Sequence, residues 1–272
     1  MNLFIEIYLK LTNSLYNNSA NTKFIGKSIH YLPSCHSTNE VAAELIRTHK
    51  ATNGLIVITD NQTAGKGQQG NTWYSAAQQN LTFTVILLPK ELLFEDSFYL
   101  NIISSLAVAE TLEKFVGFEK TVTVKWPNDV YIENKKASGI LIETILRGNK
   151  INSIVLGIGL NINQENFALA TATSLCIATG KKQDLQEVLN IVSERLEFYV
   201  AKFETSSKGE LFDAYKNKLM GLNRKNTFRD REGVFTGYIR DVAKNGTLLL
   251  EKETGELKSY QFKEVQLELD HP

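Results

Sequence analysis

Hydrophobic positions along the chain follow two periods. Phe98, Ile102, Leu106, Ala109 and Leu112 fall on one face of a 3.6-residue repeat, which predicts a helix over residues 96–116. Leu185, Val188, Leu189, Val192, Leu196 and Phe203 form a second such stripe, with Asp184 placed as its N-cap. A third helix is predicted from Ser37 or Thr38 to about His49, with Glu40 three residues after Ser37 as a capping box. Between the helices lie short apolar, β-branched runs that predict strands at residues 55–59, 81–88, 121–125, 130–132, 139–146 and 151–158. Pro89 stops one of them. Glu133-Asn134-Lys135 and Arg147-Gly148-Asn149-Lys150 make turns, and residues 60–75 read as a Gly-rich loop.

The pattern changes at Gly221. From there to Leu269 short alternating strands are separated by Asp230-Arg231-Glu232-Gly233, Lys244-Asn245-Gly246 and Glu253-Thr254-Gly255, which suits a small antiparallel barrel. The expectation is an α+β fold: a mixed, mostly antiparallel sheet with two or three helices over residues 24–220, then a small C-terminal β-barrel over residues 221–272. Residues 1–23 read as a short extension, with a polar loop at residues 13–22.

Composition adds mainly exclusions. Lys+Arg and Asp+Glu are 30 each among 272 residues, so the basic excess of a dedicated nucleic-acid binder is absent. No apolar run is long enough to span a bilayer, and Glu6 without a preceding basic region argues against a signal peptide. Cys35 and Cys176 form neither a metal-ligand pattern nor a disulfide framework, so a reducing cytoplasm is the default. His30, His36, His49 and His271 have no ligand spacing.

Chemistry concentrates in five places. Ser37-Thr38-Asn39 opens a helix, where it caps or binds a polar head group. In the loop Gln62-Thr63-Ala64-Gly65-Lys66-Gly67-Gln68-Gln69-Gly70-Asn71-Thr72-Trp73, glycines let backbone N–H groups approach an anion, and Lys66 adds charge. It lacks both the Walker spacing and the dinucleotide fingerprint, and a Trp closing a polar loop packs on something. In Lys125-Trp126-Pro127-Asn128-Asp129 a rigid turn projects an amide and a carboxylate into one space. Lys136-Ala137-Ser138-Gly139-Ile140-Leu141-Ile142-Glu143 carries a lysine at a hairpin return. Gly157-Ile158-Gly159-Leu160-Asn161 closes a strand with a polar residue that needs partners if buried.

Each element alone is weak, but their order is specific. In that order the chain closely resembles the biotin–protein ligases (biotin–acetyl-CoA-carboxylase ligases) over about residues 30–270. The resemblance implies a fold related to class II aminoacyl-tRNA synthetases plus the barrel, and the ligase-only class, without an N-terminal winged helix. It also implies a reaction in two steps: biotin and ATP give bound biotinyl-5′-AMP, then biotin passes to one lysine of a biotin carboxyl carrier domain. Mg²⁺ would arrive on the substrate phosphates, with no dedicated protein ligands. No nucleic-acid or membrane partner is implied, and the chain would be a monomer or homodimer.

By position, the resemblance gives catalytic roles to Lys136 (biotin carboxylate and α-phosphate), Lys66 and Asp129, the last orienting or deprotonating the acceptor lysine. Ser37, Thr38, Asn39 and Gln62 match the ureido-binding positions; Gly65, Lys66, Gln68, Lys136, Gly139, Leu141 and Gly157 complete the biotin set. Gly67, Asn71, Trp73, Asn128, Lys136 and Asn161 match the ATP side. There is one departure. Lys66, Gln68 and Asn71 stand where the family loop usually carries arginines, and Lys cannot make the same bidentate phosphate contact. Two other readings compete: a lipoate or octanoate ligase or transferase on the same fold, and a non-catalytic biotin or adenylate sensor.

Overall fold

The structure, a computed structural model, describes residues 16–205 and 208–269. Most of the N-terminal stretch read as an extension, and His271, lie outside the described residues. A seven-stranded sheet in the order β1-β2-β3-β7-β6-β5-β4 forms the body. Its strands are β1 (Ile29–Cys35), β2 (Ile56–Gln62), β3 (Leu81–Leu87), β4 (Val122–Lys125), β5 (Asp129–Ile132), β6 (Lys135–Arg147) and β7 (Lys150–Leu160). The β1–β2 pair is parallel, and every other neighbouring pair in this sheet is antiparallel.

Strand alternation separates the two faces of this sheet. Leu81, Phe83, Val85 and Leu87 of β3, with Ile154, Leu156 and Ile158 of β7, point into the main core. That core is closed by α2 (Phe98–Val116) and α4 (Leu185–Glu204). α2 is buried nearly all round because helix covers it on one side and sheet on the other. On the opposite face α1 (Thr38–Arg47) lies over Val57, Ile86 and Val155 in a smaller apolar cluster. Two further helices, α3 (Leu175–Thr179) and α5 (Lys208–Lys218), raise the number above the two or three expected.

The predicted cap of α4 is present: the Asp184 carboxylate accepts from the N–H groups of Gln186 (2.7 Å) and Glu187 (3.2 Å). The capping box of α1 is not. Ser37 holds the N-cap position in an extended conformation without a side-chain cap bond, and Glu40 pairs with Lys66 instead, at 2.6 Å. A charged partner in reach outcompetes a backbone amide.

Residues 16–28 lie along α4. The Glu197 carboxylate accepts three consecutive N–H groups, those of Lys23 (2.5 Å), Phe24 (2.8 Å) and Ile25 (2.9 Å). Burial would raise its pKa, but the three N–H donors outweigh that and hold it below the usual carboxylate range. Tyr16 and Ile25 are buried in the main core.

A second sheet, ordered β11-β10-β9-β8-β12, follows Gly221. It comprises β8 (Lys225–Asp230), β9 (Gly233–Val242), β10 (Leu248–Lys252), β11 (Leu257–Tyr260) and β12 (Val265–Glu268), all antiparallel. It joins the body through Trp126, whose indole N–H donates to the Gly246 carbonyl (2.9 Å) and whose ring lies 5.2 Å from that of Phe262. No helix among the described residues is long and apolar enough to cross a membrane.

Candidate active site

On the α1 face of the large sheet, two neighbouring rungs have glycine at three of their six positions. Gly159 of β7 pairs with Thr82 of β3 and Gly139 of β6, and Gly157 pairs with Thr84 and Leu141. The cavity lies on this bare strip. It is about 170 Å³ and is bordered by the start of α1, the Gly-rich loop and the β5–β6 hairpin.

One end is polar. Ser37, Thr38 and Asn39 are all more than nine-tenths buried. The Thr38 N–H, one of the amides a helix start leaves without an intrahelical partner, donates to Gln62 Oε1 at 2.9 Å. Asn39 Nδ2 donates to Glu143 Oε2 (2.8 Å), so its Oδ1 faces inward and accepts from the Thr84 hydroxyl (2.7 Å). That hydroxyl also lies 2.8 Å from the Thr38 hydroxyl. Gly157 makes room for this: a Cβ there would stand 2.2 Å from Asn39 Oδ1. The result is a fixed set of hydroxyl and amide groups, suited to a small polar head with both donors and acceptors.

The other end is aromatic and charged. The Gly-rich loop folds back on itself, with Trp73 N–H donating to Gly65 carbonyl (2.9 Å) and Gly67 N–H to Asn71 carbonyl (2.6 Å). This places the Trp73 indole over the Gly139–Gly159 rung. A Cβ on Gly159 would lie 2.3 Å from the ring, and one on Gly139 2.9 Å. The Trp73 Nε1 atom is buried and has no hydrogen-bond partner among the described residues. Lys136 Nζ stands 5.8 Å from the indole centroid and donates to Asp129 Oδ2 at 2.6 Å. Lys66 borders the cavity while held by Glu40, whose hydrogen bond keeps its ammonium pKa above the ordinary value.

Most of the sequence-predicted residues meet here: Ser37, Thr38, Asn39, Gln62, Lys66, Gly67, Gln68, Asn71, Trp73, Asp129, Lys136, Gly139, Leu141 and Gly157 all border the cavity. Three do not. Gly65 sits behind the wall, where a Cβ would meet the Trp73 carbonyl at 2.2 Å. Asn128 is buried beneath it, donating to Asn101 Oδ1 (2.7 Å) and accepting from Gln68 Nε2 (3.0 Å). The turn before β5 therefore sends its amide into the core and only its carboxylate into the cavity. Asn161 is buried at the end of β7 and donates to the Thr173 carbonyl at 3.0 Å.

Sequence reasoning missed Thr82, Thr84 and Gly159. A threonine inside an apolar strand reads as a β-branched packing residue. The Gly159 signal was present in Gly157-Ile158-Gly159, because alternate glycines on one strand bare a single face.

A model of the biotin/lipoate A/B protein ligase family matches residues 31–161. The bifunctional ligase/repressor BirA of Bacillus spizizenii is 30% identical over 260 residues, spanning 92% of this chain and 78% of that protein. The biotin–[acetyl-CoA-carboxylase] ligase of Paracoccus denitrificans is 24% identical, over 80% of this chain and 93% of its own length. Among solved structures, the biotin protein ligase of Aquifex aeolicus in complex with biotin and ATP superposes with a TM-score of 0.74 at 31% identity, over 90% of this chain and 100% of that one. A bare strip between a polar helix start and a Lys–Asp pair thus sits in a chain that matches these enzymes along most of its length, and the chain belongs to the biotin/lipoate A/B protein ligase family, among its biotin ligases.

Proposed function

We propose that this protein activates biotin with ATP and transfers it to a lysine of a biotin carboxyl carrier domain of a carboxylase. In the first half-reaction a biotin carboxylate oxygen attacks the α-phosphorus of ATP. The α–β phosphoanhydride bond breaks and pyrophosphate leaves, giving biotinyl-5′-AMP. In the second, the acceptor amine attacks the acyl carbon, the acyl–phosphate C–O bond breaks, AMP leaves and the amine loses a proton.

The observation that carries this reading is the pairing of two unlike ends in one cavity. The polar end, built from Ser37, Thr38, Asn39, Gln62 and Thr84, fits the ureido head of biotin. The bare strip takes the rings and chain. At the far end Lys136 supplies positive charge where a carboxylate must approach a phosphate, which is where fixed charge lowers the barrier most. Asp129, 2.6 Å from Lys136, is placed to orient the acceptor ammonium and accept its proton. In this reading Lys66, Gly67, Gln68 and Asn71, which border the cavity, take the phosphates, and Trp73 takes the nucleotide.

Magnesium enters this reading as part of the MgATP substrate. Residues 24–220 would carry both half-reactions and residues 221–272 form the smaller unit beside them. The cytoplasm suits the free thiols Cys35 and Cys176.

A lipoate ligase would have no use for the buried amide and hydroxyl set, because a dithiolane offers it no partners and unpaired buried groups disfavour binding. The test is biotin-dependent ATP–pyrophosphate exchange with lipoate as control and Lys136→Ala alongside. Exchange with biotin only, lost in the variant, is the expected result. Exchange with lipoate would overturn the substrate, and saturable biotin binding without exchange would make the protein a sensor.

A further inference from the structure

The cavity does not end at Asp129. It opens into a second cleft of about 780 Å³ that lies between the two sheets. The two spaces share a border formed by Gln68, Asn71, Asp129 and Lys263. The first three belong to the body; Lys263 is carried by the turn between β11 and β12 of the C-terminal sheet. We propose that Lys263 binds the β- and γ-phosphates of ATP, so that the C-terminal sheet supplies a cation to the active site. This rests on the ligation reading above.

Two observations carry it, and a third makes it testable. First, the other basic groups at these walls are engaged. Lys66 pairs with Glu40 and Lys136 with Asp129, each at 2.6 Å. Lys125 donates to the Leu267 carbonyl at 2.9 Å, and Arg229 and Arg231 face Glu268 and Glu264 at 2.6 and 3.8 Å. Lys263 is exposed and forms no ion pair with any described residue. A triphosphate brought to this border meets there one ammonium that need not leave a carboxylate first. Of the remaining groups at the border, Gln68 and Asn71 are neutral and the Asp129 carboxylate is paired with Lys136 at 2.6 Å.

Second, the turn is held against the body. Phe262, the preceding residue, packs its ring 5.2 Å from Trp126 and 6.0 Å from Phe98. The direction in which Lys263 leaves the sheet is therefore set by the active-site turn itself.

Third, Lys263 has a positive φ of 69°, a region glycine enters freely and a lysine does not. Glycine would hold this backbone with less strain, so the ammonium can be removed by Lys263→Gly without disturbing the turn that carries it.

The experiment compares Lys263→Gly, which relieves the backbone and so folds at least as well, with Lys263→Arg and with Lys244→Ala, a lysine of a different turn. Steady-state exchange is measured at varied ATP and varied biotin, and thermal shift is measured with MgATP and with AMP. The expected result for Lys263→Gly is a KM for ATP about tenfold higher, as for a lost charge-assisted contact. Its KM for biotin and its AMP shift should be unchanged, and its MgATP shift reduced. Lys263→Arg and Lys244→Ala should behave as wild type. An unchanged KM for ATP would overturn the proposal, as would equal rises for ATP and biotin. If wild type shows no exchange, the ligation reading fails, and the MgATP shift alone decides: a reduced shift in Lys263→Gly supports phosphate binding by Lys263, and an equal shift excludes it.

Discussion

Asn39 reaches the cavity only because residue 157 has no side chain. In Gly157→Ala the new methyl would stand 2.2 Å from Asn39 Oδ1, on a central strand that cannot move away. Overpacking of this kind destabilises by about 1–3 kcal/mol. The expected outcome is that loss in urea titration together with a raised KM for biotin and an unchanged KM for ATP. An unaltered biotin KM would remove Asn39 from the biotin site. Trp73 gives an optical test. Its indole covers Gly139 and Gly159, so a ligand seated on that strip must move it. In a Trp126→Phe background, saturating biotin should change the intrinsic fluorescence, and an unchanged spectrum would mean the ligand lies elsewhere. Gln68 stands where the family resemblance implies a loop arginine, and it already touches Asn128. A charge-assisted bond is worth about 1.5–3 kcal/mol. Gln68→Arg should therefore slow release of bound adenylate in a chase, and equal off-rates would show that the site has no need of that charge.

At the scale of elements, α4 is a helix with two duties: it closes the core and it fixes residues 23–25 through Glu197. The Glu197 carboxylate has a lowered pKa in the fold, so its contribution is present above the unfolded carboxylate value near 4.3 and is lost as pH falls through the folded value. Amide exchange at Lys23, Phe24 and Ile25 should accelerate below about pH 4 relative to the core. Glu197→Gln should show the fast exchange already at neutral pH; uniform protection in both proteins would refute the anchor. Legibility in the sequence followed the same logic. The helix at residues 185–204 is plain because it buries a stripe at helical period, and the one at residues 98–116 because its apolar run is long and keeps the same period though nearly every face is buried. β1 was invisible because it is a half-exposed edge strand whose residues show no alternation, and α5 because it buries only Leu211 and Tyr215. Lys136 and Gly157 could be placed from motif order. The inward turn of Asn128 could not, since it depends on Asn101, a partner 27 residues away.

The whole molecule is two sheets sharing an aromatic joint. Phe98 meets Tyr215, Phe212 and Phe262 at centroid distances of 5.7, 6.4 and 6.0 Å, so one ring touches α5 and the C-terminal sheet from α2. Phe98→Ala should destabilise by about 3–5 kcal/mol, as for other buried aromatic truncations. Calorimetry should show it as a loss across both sheets, and a second, independent transition would mean that they fold separately. The bare strip has a consequence for anyone wishing to strengthen this protein. Glycines on central strands are the first positions a stabilising redesign would fill, since β-branched residues suit a pleated surface better. At 139, 157 and 159 that logic fails: a side chain there would collide with Trp73 or Asn39, so filling these positions costs stability as well as the space above the strip. A redesign for thermal tolerance must therefore leave these three positions without side chains and seek its substitutions elsewhere.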